Sequence, residues 1–261
     1  MKNSRFIIAF LFAAILSSCL DTEEKIVLNA DNSGTYSMTI DLGRMLTLAA
    51  SMGADKSNSE KVKEKKDTTI YLKDLIDTAV NLTAAEKALY KDGMVHAKFD
   101  EEKNEMKIVM SSPFKNAGEL MEIKNNFSTV INKLKAFEKA SGDKAKSEGE
   151  GDDLKIGSQS ANPVSGQFTF MAGKGKISNT INNIDAFKLK VKSDSTLGMM
   201  TQMSSMMGDF NYRTIIVLPR TVKKYDGPGS TISVDKKTLT FFTTLTEMLE
   251  HPEKVSYKVE Y

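Results

Sequence analysis

Residues 26–42 read IVLNADNSGTYSMTIDL: an apolar run over 26–30, the polar turn Asp31-Asn32-Ser33-Gly34, and an alternating run over 35–42. In the second run Tyr36, Met38, Ile40 and Leu42 point one way and Ser37, Thr39 and Asp41 the other, the two-residue period of a strand with one buried face. Asp, Asn and Gly between two such runs supply the backbone freedom that a tight turn needs. The stretch therefore predicts a β-hairpin that opens the folded domain near Ile26.

Working outward from the hairpin, helices and strands mix without a regular βαβ alternation. Met45, Leu48, Ala49 and Met52 carry helical spacing after Gly43, and Leu72, Leu75, Ile76 and Ala79 mark a second helix. Thr83-x-x-Glu86 is a capping box opening a third, which ends at Gly93. Val95, Ala97 and Phe99 face Met106, Ile108 and Met110 across the turn at 101–104, a second hairpin. Asn116-x-x-Glu119 opens the longest helix, 116–138, whose apolar stripe is Leu120, Ile123, Phe127, Val130, Ile131, Leu134 and Phe137.

Further on, 168–170, 176–181 and 187–192 read as strands. In the last of these, three lysines alternate with Phe187, Leu189 and Val191. A Met-rich helix, 195–207, precedes a strand at 210–218 that is apolar on both faces and so expected at the centre of a sheet. Strands at 222–225, 231–234 and 239–245, a helical turn before His251-Pro252, and a final strand at 255–261 complete the pattern. The expected class is α+β, a mostly antiparallel curved sheet packed on the long amphipathic helix and the Met-rich helix.

Two segments interrupt this pattern and read as mobile loops. Residues 54–67 are charged and lack aromatics; residues 139–166 are rich in Gly, Ser and charge. The second separates an N-terminal α+β lobe, 26–138, from a C-terminal β-rich lobe, 167–261. Neither lobe has an obviously complete core, so the expectation is one composite domain.

Upstream of the hairpin lies Cys19, the sole cysteine of 261 residues. Lys2 and Arg5 precede an eleven-residue apolar run, 6–16, which Leu16-Ser17-Ser18-Cys19 closes with small residues. This is the layout of a cleaved export signal. Eleven helical residues reach only ~16 Å, about half of a ~30 Å hydrocarbon core, so the run is no membrane span. The ending resembles the bacterial lipobox, which implies a signal peptide over 1–18 and acylation of Cys19, with palmitate among the expected chains. An acylated thiol also leaves no free cysteine in an oxidising compartment. Residues 19–25 then read as the lipidated cysteine and an acidic tether carrying Asp21, Glu23 and Glu24. Leu20 stands where Asp is the usual inner-membrane retention signal. The expected location is the outer membrane of a diderm bacterium, on either its periplasmic or its surface face.

Charge and motif content narrow the function classes. Removing Lys2 and Arg5 with the signal leaves 34 basic against 34 acidic residues, which takes away the electrostatic basis for nucleic-acid binding. Membrane attachment comes through lipid at Cys19, not through a basic patch. The two histidines, His96 and His251, have no Cys, Asp or Glu at metal-ligand spacing, and the catalytic signatures of hydrolases, metalloproteases and nucleotide-binding proteins are missing. No cofactor and no enzymatic activity are expected.

Met199, Met200, Met203, Met206 and Met207 fall on a single helical stripe. Three readings stand for it. The stripe is an adaptable core filler; with Phe127 and Ile131 of the long helix, it is the soft wall of a groove for an apolar ligand; or Met199, Met203 and Met206 hold Cu(I), which thioethers select.

Two stretches together resemble the LppM-like (DUF3153-type) bacterial lipoprotein domain. One is residues 28–42, the polar Gly turn inside the opening hairpin. The other is Tyr212-Arg-Thr-Ile-Ile-Val-Leu-Pro219, followed by Val222, the Gly227/Gly229 turn and Thr238-Leu-Thr-Phe-Phe242. The resemblance spans about 55 residues at the two ends. The chain departs from it in lacking a Trp at the last motif and a C-terminal membrane span, and in its two charged insertions. The resemblance implies an envelope-anchored α+β domain that binds lipid or glycolipid without catalysis. The rival expectation is a structural or assembly lipoprotein docking a protein partner in the envelope, motivated by the charged segments at 54–67 and 139–166.

Overall fold

A computed structural model of the chain describes residues 21–44, 47, 65–136 and 166–261, except for the side chains of Ser195, Thr196, Met199, Met203, Met206 and Met207. Cys19, Phe137 and the helical positions Met45, Leu48, Ala49 and Met52 lie outside the described residues, as do 54–64 and 139–165.

The opening hairpin is present, but its first strand starts earlier than the apolar pattern indicates. β1 (Asp21–Leu28) pairs antiparallel with β2 (Gly34–Asp41), Leu28 opposite Gly34 and Asp21 opposite Asp41. The expected acidic tether is thus corrected: from Asp21 onward it is strand. Its carboxylates are compatible with a sheet because they are partnered there, Glu23 by Arg213 and Glu24 by groups described below. Asn32 takes φ 67° in the connecting turn, a left-handed conformation that asparagine tolerates. Gly34 is required for space, since a Cβ there would come within 1.9 Å of the Val27 carbonyl oxygen.

β3 (Lys65–Tyr71) leads into α1 (Leu72–Ile76) and α2 (Ala84–Tyr90). Residues 65–67, expected in a mobile loop, belong to β3, where Lys65 and Asp67 lie opposite Asp100 and Lys98. The capping box is formed: Thr83 Oγ1 accepts the Glu86 N–H, and the Glu86 carboxylate accepts the Thr83 N–H. β4 (Met94–Asp100) and β5 (Glu105–Phe114) make the second hairpin, and α3 (Ala117–Lys133) is the long helix, with Asn116 accepting the Glu119 N–H. Leu120, Ile123, Phe127, Val130, Ile131 and Leu134 are all buried.

The second half contributes β6 (Phe168–Gly173), β7 (Lys176–Ile181), α4 (Ile184–Ser193), α5 (Ser195–Met207), β8 (Asn211–Val217), β9 (Lys224–Asp226), β10 (Thr231–Ile232), β11 (Thr238–Thr244), α6 (Leu245–Glu250) and β12 (Tyr257–Glu260). The expected strand at 187–192 is corrected to the helix α4. Asn183 accepts the Ala186 N–H and caps it. Phe187 and Val191, four apart, meet Met248 and Val255 in a small satellite core, while Leu189 is 69% exposed. A two-residue alternation survives in the letters, but only the i, i+4 pair is used.

The class is α+β, with two sheets among the described residues. The larger runs β10-β11-β8-β1-β2-β5-β4-β3 and the smaller β6-β7-β12-β9. Pairing is antiparallel except between β1 and β8, which run parallel with Thr22 opposite Tyr212 and Ile26 opposite Ile216. β8 is central, as its two-faced apolar pattern implied. Because β1 lies between β2 and β8, residues from both sides of the 139–166 segment share one sheet. The main core fills the space between that sheet's inner face, α3 and the smaller sheet, joining Ile26, Tyr36 and Met110 to Phe170, Ile177 and Tyr257.

Candidate functional site: a polar cavity inside the core

Strand register brings a polar belt onto the inner face of the large sheet. Across β11, β8 and β1, Thr243 lies opposite Tyr212 and Tyr212 opposite Thr22. Two residues along, Phe241 lies opposite Thr214, Thr214 opposite Glu24, and Glu24 opposite Met38. One step further the row is Leu239, Ile216, Ile26 and Tyr36, which is apolar apart from the tyrosine hydroxyl. Polar and apolar rows therefore meet at Glu24.

Glu24 is held on three sides. Its Oε1 accepts from Tyr36 OH at 2.7 Å and from Lys124 Nζ at 2.5 Å, and its Oε2 accepts from Thr214 Oγ1 at 3.4 Å. Both members of the ion pair are largely withdrawn from water, at 12% and 10% side-chain exposure. Lys124 comes from α3, a hundred residues away in sequence, and its ammonium also lies 5.3 Å from the centre of the Phe170 ring. Next to it, Asn125 Oδ1 accepts the Phe170 N–H at 3.4 Å, fastening α3 to β6.

A cavity of about 120 Å³ opens beside this pair, between the large sheet's inner face and the smaller sheet. Thr22, Glu24, Tyr212, Thr214 and Thr243 line one side; Lys124, Asn125, Asn179 and Tyr257 line the other. The lining runs from exposed Gly166 and half-buried Arg213 to buried Tyr257, so the space connects surface to interior. Phe241 and Tyr257 stack at 4.7 Å and 12° within the wall.

Three hydroxyls of the lining, Thr22 Oγ1, Tyr212 OH and Tyr257 OH, are buried and have no hydrogen-bond partner among the described residues. Thr22 and Tyr257 are only 5% and 3% exposed. Leaving a buried hydroxyl unpaired costs ~1–3 kcal/mol, so three of them among the residues that line one cavity is a costly arrangement. Burial raises the Tyr212 and Tyr257 phenols well above their ordinary pKa; for Tyr36 burial comes first and the charge of Glu24 adds to it. All three phenols stay protonated, and Tyr36 donates to Glu24.

The residues singled out from sequence lie elsewhere. Phe127 packs edge-on to Tyr36 at 4.9 Å and Ile131 is 1% exposed, both within the main core and neither on the cavity wall. Met200 belongs to the same core. The side chains of Met199, Met203, Met206 and Met207 lie outside the described residues, as does Cys19. His96 Nε2 is 2.7 Å from Asp67 Oδ1 on the sheet surface, and His251 Nδ1 is 3.4 Å from Glu253. Among the described residues no group of His, Cys, Asp and Glu is arranged to hold a metal ion, and no helix is long and apolar enough to cross a membrane.

Glu24, Lys124, Thr22, Tyr212 and Tyr257 carried no sequence signal as a set. The one trace was an acidic residue, Glu24, at an inward-facing position two residues before Ile26 in a strand now seen to begin at Asp21.

No family model and no curated protein matches the chain, so the resemblance of the two end stretches stands on those residues alone. Among solved structures, the NMR structure of the folded domain of the Mycobacterium tuberculosis protein LppM aligns over 94% of this chain and 91% of its own. It does so at 7% identity and a TM-score of 0.36, a likeness too low to carry fold or function.

Proposed function

We propose that this chain is a non-enzymatic envelope lipoprotein, held in the outer membrane through acylated Cys19, that binds the polar part of a lipid or glycolipid in the cavity beside Glu24 and Lys124. The observation that carries the binding role is the cavity itself, open beside a desolvated ion pair and lined by residues that carry three buried hydroxyls with no partner among the described residues. A purely structural core would fill such a space with apolar side chains or pair those groups.

The size of the cavity restricts what enters. At about 120 Å³ it is somewhat smaller than a ~150 Å³ cavity that holds benzene, so it admits a small polar group and not an acyl chain. Binding without catalysis is supported by the state of the polar groups. The phenols stay protonated, and Glu24 is tied to both Tyr36 and Lys124. The anchor is supported by the Leu16-Ser-Ser-Cys19 ending. Strand β1 starts two residues after that cysteine, which would hold the domain close to the bilayer surface.

Two measurements test the reading. Cys19→Ser is expected to abolish palmitate incorporation while leaving the melting temperature of the folded domain unchanged, since the cysteine precedes β1. Continued labelling of the variant would remove the lipoprotein assignment. Native mass spectrometry of the full-length protein extracted from membranes is expected to show a co-purified small ligand or lipid. A stoichiometric protein partner with no small ligand would favour the docking role instead.

A further inference from the structure

We infer that β3 pairs edge to edge with β3 of a second copy of this chain, antiparallel and centred on Thr68, joining two large sheets into one. The contact is independent of the cavity. Four strands end a sheet among the described residues, and they are unequal. β9 and β10 are three and two residues long, too short to template another chain. β6 is fastened to α3, where Asn125 accepts the Phe170 N–H. β3 is seven residues long, and no described residue pairs with its outer edge. Long uncovered edges recruit other strands, and Thr68-Thr69-Ile70-Tyr71 consists of residues favoured in β-structure.

The hydrogen-bond pattern fixes which groups face outward. Leu72 donates its N–H to the Gly93 carbonyl at 2.9 Å, one step beyond the Tyr71–Met94 pair. Backbone groups alternate sides along an antiparallel strand, so Lys66, Thr68 and Ile70 bond inward to β4. The N–H and C=O groups of Lys65, Asp67, Thr69 and Tyr71 point to the open edge. An antiparallel second copy must match outward residues with outward residues, which puts the two-fold centre on a residue and not between two. Centred on Thr68, every outward residue has a partner: Lys65 lies opposite Tyr71, and Asp67 opposite Thr69. Centred on Asp67, two carboxylates would meet; centred on Thr69, Lys65 would fall opposite Lys73, beyond the end of the strand. In the Thr68 register no charge lies opposite its like. The aliphatic stem of Lys65 comes across Tyr71, which is 53% exposed. Asp67, whose Oδ1 lies 2.7 Å from His96 Nε2, meets the neutral Thr69.

This register also suits two copies anchored in one bilayer, as proposed for Cys19. Its two-fold axis stands normal to the sheet at β3. Neighbouring strands are rotated by ~20–25°, so over the four steps from β3 to β1 the sheet turns by roughly a right angle and β1 runs along that axis. Both Asp21 ends then leave on the same side of the pair.

Cysteine crosslinking of the full-length protein in its membranes tests the pairing and its register. At the two-fold centre Thr68 meets its own copy as a non-hydrogen-bonded pair, with Cα atoms ~4.5 Å apart, inside the range a disulfide spans. Thr68→Cys is therefore expected to give a disulfide-linked dimer under mild oxidation, read on non-reducing gels. Thr69→Cys should link far less, since Thr69 faces Asp67. Wild-type protein, whose one thiol is Cys19, serves as the blank. Added to Thr68→Cys, Thr69→Pro removes one outward donor from each copy and no bond to β4. The dimer fraction should then fall about tenfold at an unchanged melting temperature. If the proline variant melts lower, Thr69→Asp decides: it sets a carboxylate opposite Asp67 and should produce the same fall. The inference is overturned if Thr68→Cys stays monomeric, if Thr69→Cys links as readily, or if neither substitution at Thr69 reduces the dimer. Linkage of Thr68→Cys to a different protein would assign the edge to another partner and overturn it as well.

Discussion

At the scale of single residues, Glu24 and Lys124 are the pair on which the site depends. Each is about nine-tenths buried, and each was brought inward by a different element, β1 and α3. Removing one partner from a buried ion pair strands the other charge. Lys124→Met is therefore expected to destabilise by about 3 kcal/mol. The double variant Glu24→Gln/Lys124→Met, with both charges gone, should recover a large part of that loss. Urea unfolding of the four members of the cycle measures the coupling; additive losses would mean the pair is not coupled. Neither residue stands out in the sequence, where Glu24 reads as one of several acids beside a lipid anchor and Lys124 as a polar position on an amphipathic helix.

At the scale of elements, caps and periodicities were legible where they were local. The Thr83–Glu86 box, the Asn116 cap and the α3 stripe all appear in the structure as their spacing implies. The exception is α4, where an alternating string concealed a helix. It gives a direct check: Phe187→Ala should cost about 3 kcal/mol, whereas Leu189→Lys should fall within ~0.5 kcal/mol of wild type. On a strand both residues would share one face and both substitutions would be costly, so equal losses in thermal denaturation would restore the strand.

The contact between α2 and α3 adds a pH prediction. Lys133 Nζ lies 2.7 Å from the Glu86 carboxylate, and that hydrogen bond, followed by those from the Thr83 backbone and hydroxyl, lowers the Glu86 pKa from 4.5 to about 2. A folded-state pKa below the unfolded one stabilises the fold above the unfolded value, and the gain is lost as pH falls through the folded one. Wild type should thus exceed Glu86→Gln in stability above about pH 4.5. The gap should close between there and about pH 2, as followed by urea midpoints across that range.

At the scale of the whole molecule, the parallel β1–β8 pair makes the chain one unit. β1 has β2 on one edge and β8 on the other, so the first half alone would expose a hydrogen-bonding edge and lose the wall supplied by Tyr257, Phe241 and Phe170. Fragments 20–138 and 166–261 expressed separately are expected to lack a cooperative melting transition. Co-expressed, they should purify together and melt as one species. A sharp transition from either fragment alone would show two independent domains.

The sequence by itself determined what depends on neighbours a few residues apart. Two-residue alternation marked most strands, i, i+4 spacing marked the long helix, and side-chain caps placed helix starts; the small-residue ending before Cys19 is the basis of the proposed anchor. Only the tertiary structure decided that Asp21 to Lys25 form a strand, that its neighbour is β8, and that Thr22, Glu24, Lys124, Tyr212 and Tyr257 surround one cavity. The physical reason is chain separation. A strand rich in acids is stable only if its partners neutralise it, and those partners, Lys124 and the residues of β8, lie about 100 and 190 positions away, beyond any local periodicity.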